Sequence, residues 1–257
     1  MPDKSALVTG ASSGIGESLA RVLAARGFDL VLVARRERAL SKLSDELTGS
    51  HSVKCDVLAA DLSEPGGVGA VADRIRERAF TTVVNNAGHG SVGFFHELPL
   101  AEELGEIQLN VSALVALSHA ALEVMVPRRS GNLLNVASTA SFQPGPKNAT
   151  YSATKAFVRS FTEALHEEVL SSGVHVTALC PGFTRTGFQS RAGMEATNVP
   201  GVMWAEPEAV ALAGLSALER NQAVCVPGLM NKVGAASVRI APRSVARKMA
   251  GQVLKRM

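Results

Sequence analysis

The sequence predicts an α/β fold: a doubly wound parallel sheet in a single, three-layer αβα domain. Three observations predict it. Short apolar runs rich in Val, Leu and Ala alternate with longer amphipathic stretches, as parallel strands alternate with crossover helices. A glycine-rich turn from Gly10 to Gly16 separates the first apolar run from the first amphipathic stretch. The chain has 257 residues, 46% hydrophobic and 19% charged, which suffices for one large core and excludes a disordered chain. No apolar run approaches the roughly 20 residues of a membrane span.

Ser5–Thr9 reads as a strand that runs into Gly10-Ala11-Ser12-Ser13-Gly14-Ile15-Gly16 and then a helix with Leu19, Val22 and Leu23 on one side. Glycines let the backbone bend sharply and approach a pyrophosphate, and the helix behind them offers unpaired N–H groups and partial positive charge. Strand, glycine turn and helix in this order form a Rossmann-type dinucleotide unit. Gly10, Ser12, Ser13, Gly14, Ile15 and Gly16 are therefore candidate cofactor contacts. The second strand, 29–33, ends in Ala34-Arg35-Arg36. About 20 residues past the glycines, NAD-binding units place a carboxylate on the ribose 2′-hydroxyl, whereas an arginine accommodates the 2′-phosphate of NADP. Arg35 lies nineteen residues after Gly16, so Arg35 and Arg36 favour NADP(H). The competing reading is that these two and Arg38 only solvate the start of the next helix, 37–47.

The third strand, 52–60, delivers Asp61-Leu62; Asp61 can equally belong to the cap region of the helix Pro65–Arg78. The fourth, 82–84, closes in Asn85-Asn86-Ala87-Gly88. A helix over 100–126 is expected to bury Ile107, Val111, Leu114 and Leu117, with Asn110 among them as an amide that needs hydrogen-bond partners. The apolar 133–137 is a buried strand ending at Ser138, and Gln143-Pro144-Gly145-Pro146 is a loop that cannot continue it. The next helix, about 150–171, puts Tyr151 and Lys155 on one face. Tyr151 is the chain's one tyrosine. A cation beside a phenol stabilises the phenolate and is expected to pull its pKa from ~10 toward neutrality. The sixth strand, 174–180, delivers Pro181-Gly182-Phe183-Thr184-Arg185-Thr186. Residues 187–205 carry no sustained period and read as a substrate lid. Glu206-Pro207-Glu208 opens a helix with proline in its first turn, and 223–226 is a last short strand. The dinucleotide domain is expected to span 1–227, leaving a tail at 228–257.

Four motifs together resemble the classical short-chain dehydrogenase/reductase family: Thr-Gly-x-x-x-Gly-Ile-Gly at the first turn, Asn85-Asn86-Ala87-Gly88, Ser138 with Tyr151-x-x-x-Lys155, and Pro181-Gly182. The resemblance covers the chain up to about Gly228. It implies an oxidoreductase moving a hydride between NADP(H) and a carbonyl or secondary alcohol. It implies Tyr151 as general acid/base, Lys155 lowering its pKa and holding the nicotinamide ribose, Ser138 positioning the substrate oxygen, and Asn110 holding a relay water. It also implies Asp61 and Leu62 at the adenine, and Asn86, Ala87 and Gly88 beside the cofactor. Pro181, Gly182, Thr184 and Thr186 would lie against the nicotinamide. The rival is a catalytically silent NADP-binding regulator or scaffold, which would show losses among the four catalytic residues. Family members pair through the Asn110 and Tyr151 helices, so a homodimer or homotetramer is expected.

Composition bounds the rest. Cys55, Cys180 and Cys225 are dispersed, so neither a disulfide framework nor a metal site is indicated. The N-terminus leads directly into a strand without a leader pattern, so a cytoplasmic location is expected. The net charge of +3 is carried by the tail, where seven basic residues meet no acidic and no aromatic one; no nucleic-acid partner is expected. After Ser244, the tail alternates apolar and basic faces. Its readings are packing over a neighbouring subunit or the substrate mouth, peripheral attachment to an anionic membrane, or a solubilising end. Phe94, Phe95, Phe142, Phe183, Phe188, Met194, Met203 and Trp204 make the expected substrate walls apolar and point to a hydrophobic ketone or aldehyde.

Overall fold

The structure, a computed structural model, describes residues 4–193 and 200–240. Among them, seven parallel strands form one sheet: β1 (Ser5–Thr9), β2 (Asp29–Ala34), β3 (Cys55–Ala59), β4 (Thr82–Asn85), β5 (Gly131–Val136), β6 (Val174–Leu179) and β7 (Val224–Cys225). Their order is β3-β2-β1-β4-β5-β6-β7. The winding reverses between β1 and β4, and at such a switch point the carboxyl ends of the strands open a crevice.

The helices are α1 (Gly14–Ala25), α2 (Glu37–His51), α3 (Pro65–Arg78), α4 (Leu100–Ile107), α5 (Leu114–Met125), α6 (Ala149–Val169), α7 (Phe188–Arg191), α8 (Pro207–Glu219) and α9 (Leu229–Ile240). They cover both faces of the sheet, which is why the strands are almost continuously apolar. Side chains alternate between the two faces. Ala6, Val8, Leu30 and Leu32 enter the core under α1, α2 and α8, whereas Leu7, Val31 and Val33 enter the core under α3, α5 and α6.

The helix expected over 100–126 is not uniform. A π-turn at Gln108–Ala113 separates α4 from α5, and such turns concentrate at functional sites. The inward residues of α4 are Glu103 and Glu106, followed by Asn110 within the π-turn, while Ile107, expected to be buried, is 41% exposed and Val111 only half-buried. Leu114 and Leu117 are buried as expected; apolar periodicity misplaces the inner face only ahead of them, where that face is polar. Leu100–Met125 is long and apolar enough to cross a membrane by composition, yet Leu117, Ala120, Ala121 and Met125 pack in the domain core. The chain continues after Gly228 (φ 84°) directly into α9. The later tail, including Ser244 and the amphipathic pattern, lies outside the described residues, as does Met194.

A buried polar link joins β4 to β5. Asn85 and Asn135 are register partners on β4 and β5, and Asn85 Nδ2 donates to Asn135 Oδ1 (3.0 Å) and Ser118 Oγ (3.1 Å). Asn135 Nδ2 in turn donates to Thr162 Oγ1 on α6 (3.1 Å). All four side chains are buried. Asn135→Ala should therefore lower the unfolding free energy by roughly 1–3 kcal/mol, because it removes partners from buried groups that water cannot reach. Urea unfolding followed by the signal of the single tryptophan checks this.

Candidate active site

The crevice begins at the β1–α1 turn. Gly10 and Gly14 adopt φ of 65° and 62°, a region that favours glycine. A Cβ on Gly10 would stand 2.7 Å from Asn86 Nδ2, and one on Gly16 would strike the Gly10 carbonyl. Thr9 ties this turn to the end of β4. Its Oγ1 accepts from the N–H groups of Asn86 (2.9 Å) and Ala87 (3.0 Å) and donates to Val84 O (3.3 Å). Asn86 Nδ2 donates back to Thr9 O (2.9 Å). The N-terminus of α1 is thereby held at the edge of the switch point.

A cavity of about 330 Å³ opens there. Gly10, Ser12, Ser13, Gly14, Ile15, Arg35, Arg36, Asp61, Leu62, Asn86, Ala87, Gly88, Ser138, Tyr151, Lys155, Pro181, Gly182, Thr184 and Thr186 all line it. Gly16 and Asn110 do not, and of the apolar substrate walls expected among the described residues Phe188 alone lines it. Gly16 lies beneath the turn, where its missing side chain lets α1 approach Gly10, and Asn110 stands behind the wall. Sequence reasoning missed Ala34, Ala60, Leu109, Val136, Ala137 and Gln189, which also line the cavity. Most of these are apolar residues at strand ends and were findable from position alone. Gln189, whose Nε2 donates to Thr184 O (3.1 Å), carries no signal in the sequence.

Ser138, Tyr151 and Lys155 share one wall. Ser138 ends its strand and accepts from Ala140 N–H (3.1 Å), which fixes its hydroxyl at the start of a 3₁₀ turn, Thr139–Phe142. Lys155 is 5% exposed, donates to Val136 O (2.8 Å), and lies 5.7 Å from the Tyr151 ring centroid. Phe188, from α7, covers Tyr151 from the other side, with ring centroids 5.6 Å apart. The expected drop in the Tyr151 pKa is not found. Burial pushes the phenol up to about 12, a hydrogen bond with Ser138 opposes this, and the charge of Glu106 adds to it. Lys155 is pushed down to about 8 by its own burial. Desolvation decides the direction here, so Tyr151 holds its proton at neutral pH.

The model of the short chain dehydrogenase family matches residues 4–196. The chain belongs to the short-chain dehydrogenase family. It is 34% identical over 186 residues to oxidoreductase UcpA of Escherichia coli, covering 71% of this chain and 70% of that one. Among solved structures it resembles a short-chain dehydrogenase from Sphingobium yanoikuyae in complex with NADPH, with TM-score 0.84, 34% identity, and 93% and 96% of the two chains covered. It also resembles a bulky-bulky ketone specific alcohol dehydrogenase from Comamonas testosteroni, with TM-score 0.80, 30% identity, and 91% and 92% covered.

At the far end of this short-chain dehydrogenase's cavity stands a cationic rim. Arg36 Nη2 donates to Ser12 Oγ (3.0 Å) and Ser12 O (3.2 Å), while Arg35 Nη1 lies 3.8 Å from Asp61 Oδ2. Asp61 Oδ1 accepts from the Ser63 hydroxyl (2.6 Å) and N–H (3.0 Å). The Ser63 hydroxyl holds this carboxyl below its usual range, and Arg35 assists. Asp61 does not cap α3, whose N-cap is Glu64: one of its oxygens organises the turn ahead of the helix and the other faces Arg35. Asn110 is fully engaged: Nδ2 donates to His89 O (2.8 Å) and Thr154 Oγ1 (3.1 Å), and Oδ1 accepts from His89 N–H (3.1 Å). It fastens the loop after β4 to the Tyr151 helix.

That loop crosses the tyrosine at Gly90, where a Cβ would stand 2.7 Å from Tyr151 Cδ2. Gly90→Ala should therefore displace the ring. On the reading proposed below, in which Tyr151 is the proton donor, a loss of roughly 10²-fold in kcat is expected, as a displacement of about 1 Å in a reacting group produces, while the melting temperature changes little. Steady-state kinetics paired with thermal unfolding tests this.

Proposed function

We propose that this short-chain dehydrogenase reduces a hydrophobic ketone or aldehyde with NADPH. The observation that carries the reading is one cavity holding a glycine turn and arginine rim at one end and Ser138, Tyr151 and Lys155 at the other. The residues fit the cofactor: the bare Cα atoms of Gly10 and Gly14 and the N-terminus of α1 suit a pyrophosphate. Ser12, Arg35 and Arg36 suit a 2′-phosphate, in line with the NADPH bound by the Sphingobium relative. Asp61 and Leu62 would flank the adenine. Asn86, Ala87, Gly88, Pro181, Gly182, Thr184 and Thr186 would line the path to the nicotinamide, whose ribose Lys155 would hold.

When bound, NADPH supplies the hydride for the carbonyl carbon. Ser138 would hold the substrate oxygen by a hydrogen bond, and Tyr151 would give that oxygen its phenolic proton, completing the alcohol. A phenol held in its protonated form by burial supports reduction as the working direction. The Lys155 ammonium would stabilise the phenolate left behind, and Asn110 would keep the Tyr151 helix in register with the His89 loop. Phe188 over Tyr151 keeps water from the acid. Phe94 and Phe95, both largely exposed on the loop after β4, favour an apolar substrate, as does the bulky-ketone specificity of the Comamonas relative. A homodimer or homotetramer would cover Leu104 and Phe157, apolar and exposed on α4 and α6.

A panel of carbonyl compounds followed by NADPH absorbance tests the reading, and turnover of bulky ketones is expected. Tyr151→Phe should lower kcat by roughly 10²–10⁴-fold while leaving NADPH affinity within a few fold, because it deletes one hydroxyl; retained turnover refutes the assignment. Arg35→Asp should weaken NADPH by roughly 10- to 100-fold, the worth of a charge-assisted hydrogen bond, and raise the relative use of NADH. Equal use of both cofactors by the unmodified protein would overturn the NADP preference.

A further inference from the structure

Behind the Tyr151 wall, two carboxylates are buried around a single hydroxyl. Glu103 and Glu106, one turn apart on α4, are 3% and 0% exposed. Ser91, from the loop after β4, bridges them. Its Oγ lies 2.6 Å from Glu103 Oε1 and 3.1 Å from Glu106 Oε2, and its N–H donates to that same Glu106 oxygen at 3.1 Å. Thr150, the residue before Tyr151, donates to the other oxygen of Glu103. Glu106 Oε1 is buried with no hydrogen-bond partner among the described residues.

Counting protons decides the state of this pair. A serine hydroxyl has one proton to donate, and the shorter contact gives it to Glu103. The contact from the same oxygen to Glu106 then sets acceptor against acceptor unless Glu106 carries a proton. A carboxylate oxygen buried without a donor is costly, whereas a protonated carboxyl is far less so. Glu103 has two hydroxyl donors; Glu106 has one N–H and an orphan oxygen. Chiefly through burial, and with the charge of Glu103 beside it, Glu106 is raised to about 7.

The titratable and charged groups facing Glu106 are Glu103 on its own helix and Tyr151 and Lys155 on α6; His89, in the loop after β4, feels Glu103. We propose that Glu106 is a proton-holding residue that acts through Tyr151: it stands neutral beside an ionised Glu103, and its ionisation makes Tyr151 a weaker proton donor. The direction follows from charge. A carboxylate at this place disfavours the phenolate and favours the ammonium of Lys155, so the phenolic proton is held more tightly. Carbonyl reduction should then fall severalfold as pH rises through about 7, a step that rests on Tyr151 being the acid.

Glu106→Gln removes the titration but keeps an acceptor for the Ser91 N–H and adds a donor for its hydroxyl. Because Tyr151 is the only tyrosine, its ionisation can be read without any substrate, from phenolate absorbance in a pH-jump before the chain unfolds. The midpoint should lie lower in Glu106→Gln by on the order of one pH unit, and its pH–rate profile should lose the step near neutrality. Stability gives a third readout. The Glu106 contribution is fully present below its ordinary 4.5 and is lost as pH rises to about 7, so wild-type stability should decline across that window relative to the variant. Coincident tyrosine midpoints in the two proteins would overturn the proposal. A shifted midpoint with no carbonyl turned over by either protein would uphold it and defeat the reductase reading instead. If Glu106→Gln does not fold, the wild type alone decides: a protonated-carboxyl infrared band titrating near neutrality supports the proposal, and its absence overturns it.

Discussion

The whole site depends on how closely the glycine turn after β1 can approach the end of β4. Thr9 and Asn86 fix that approach by exchanging hydrogen bonds across the switch point, and Gly10 permits it by having no side chain where Asn86 Nδ2 passes. Were the two strand ends further apart, α1 would not point into the cavity, and Gly88 could not bring its backbone beside Asn110 and Lys155. A parallel sheet leaves the donors and acceptors at its carboxyl edge unpaired by its own ladder. Here they are paired with each other across β1 and β4, so the edge becomes rigid as well as polar.

The wall that carries Tyr151 and Lys155 is a balance between desolvation and charge. Lys155 and Glu106 are buried and Tyr151 is half-buried, and loss of solvent pushes each toward its neutral form. Their mutual interactions oppose or assist that push. Lys155 keeps its place through the Val136 carbonyl, which anchors the ammonium to β5 independently of the tyrosine. The phenol's nearest tuning contact is the Ser138 hydrogen bond. The lysine is thus a fixed element of the sheet's edge, and the tyrosine stands in front of it on the cavity wall.

Much of this was legible in the sequence because the chemistry sits where strands end. Thr9, Asn85, Ser138 and Pro181 follow apolar runs, and a parallel sheet brings such positions together whatever the loops do. What was not legible depends on tertiary surroundings. Ile107 scored as core because it is apolar, while Glu103 and Glu106 occupy the inward face that polarity argues against. Only the loop carrying Ser91 and the start of α6 explain their burial. The π-turn at Gln108–Ala113 leaves no mark on composition. The direction of the Tyr151 shift was misjudged because a neighbouring lysine can be read from spacing, whereas loss of solvent cannot.

The chain beyond residue 227 is less separable from the site than its composition implies. Asn231, on α9, donates from Nδ2 to Pro227 O (2.9 Å), and its amide fills the space beside Gly182, where a Cβ would stand 2.5 Å from Asn231 Oδ1. The same helix packs against the 3₁₀ turn that follows Ser138. Gly182 and Ser138 approach the cavity from different strands, and α9 touches the segment behind each of them. Any side chain on Gly182 would have to displace Asn231 before it disturbed the cavity. The glycine therefore serves two close approaches, one toward the cavity and one toward α9. The position of this helix is accordingly set by the same backbone that shapes the Ser138 end of the crevice.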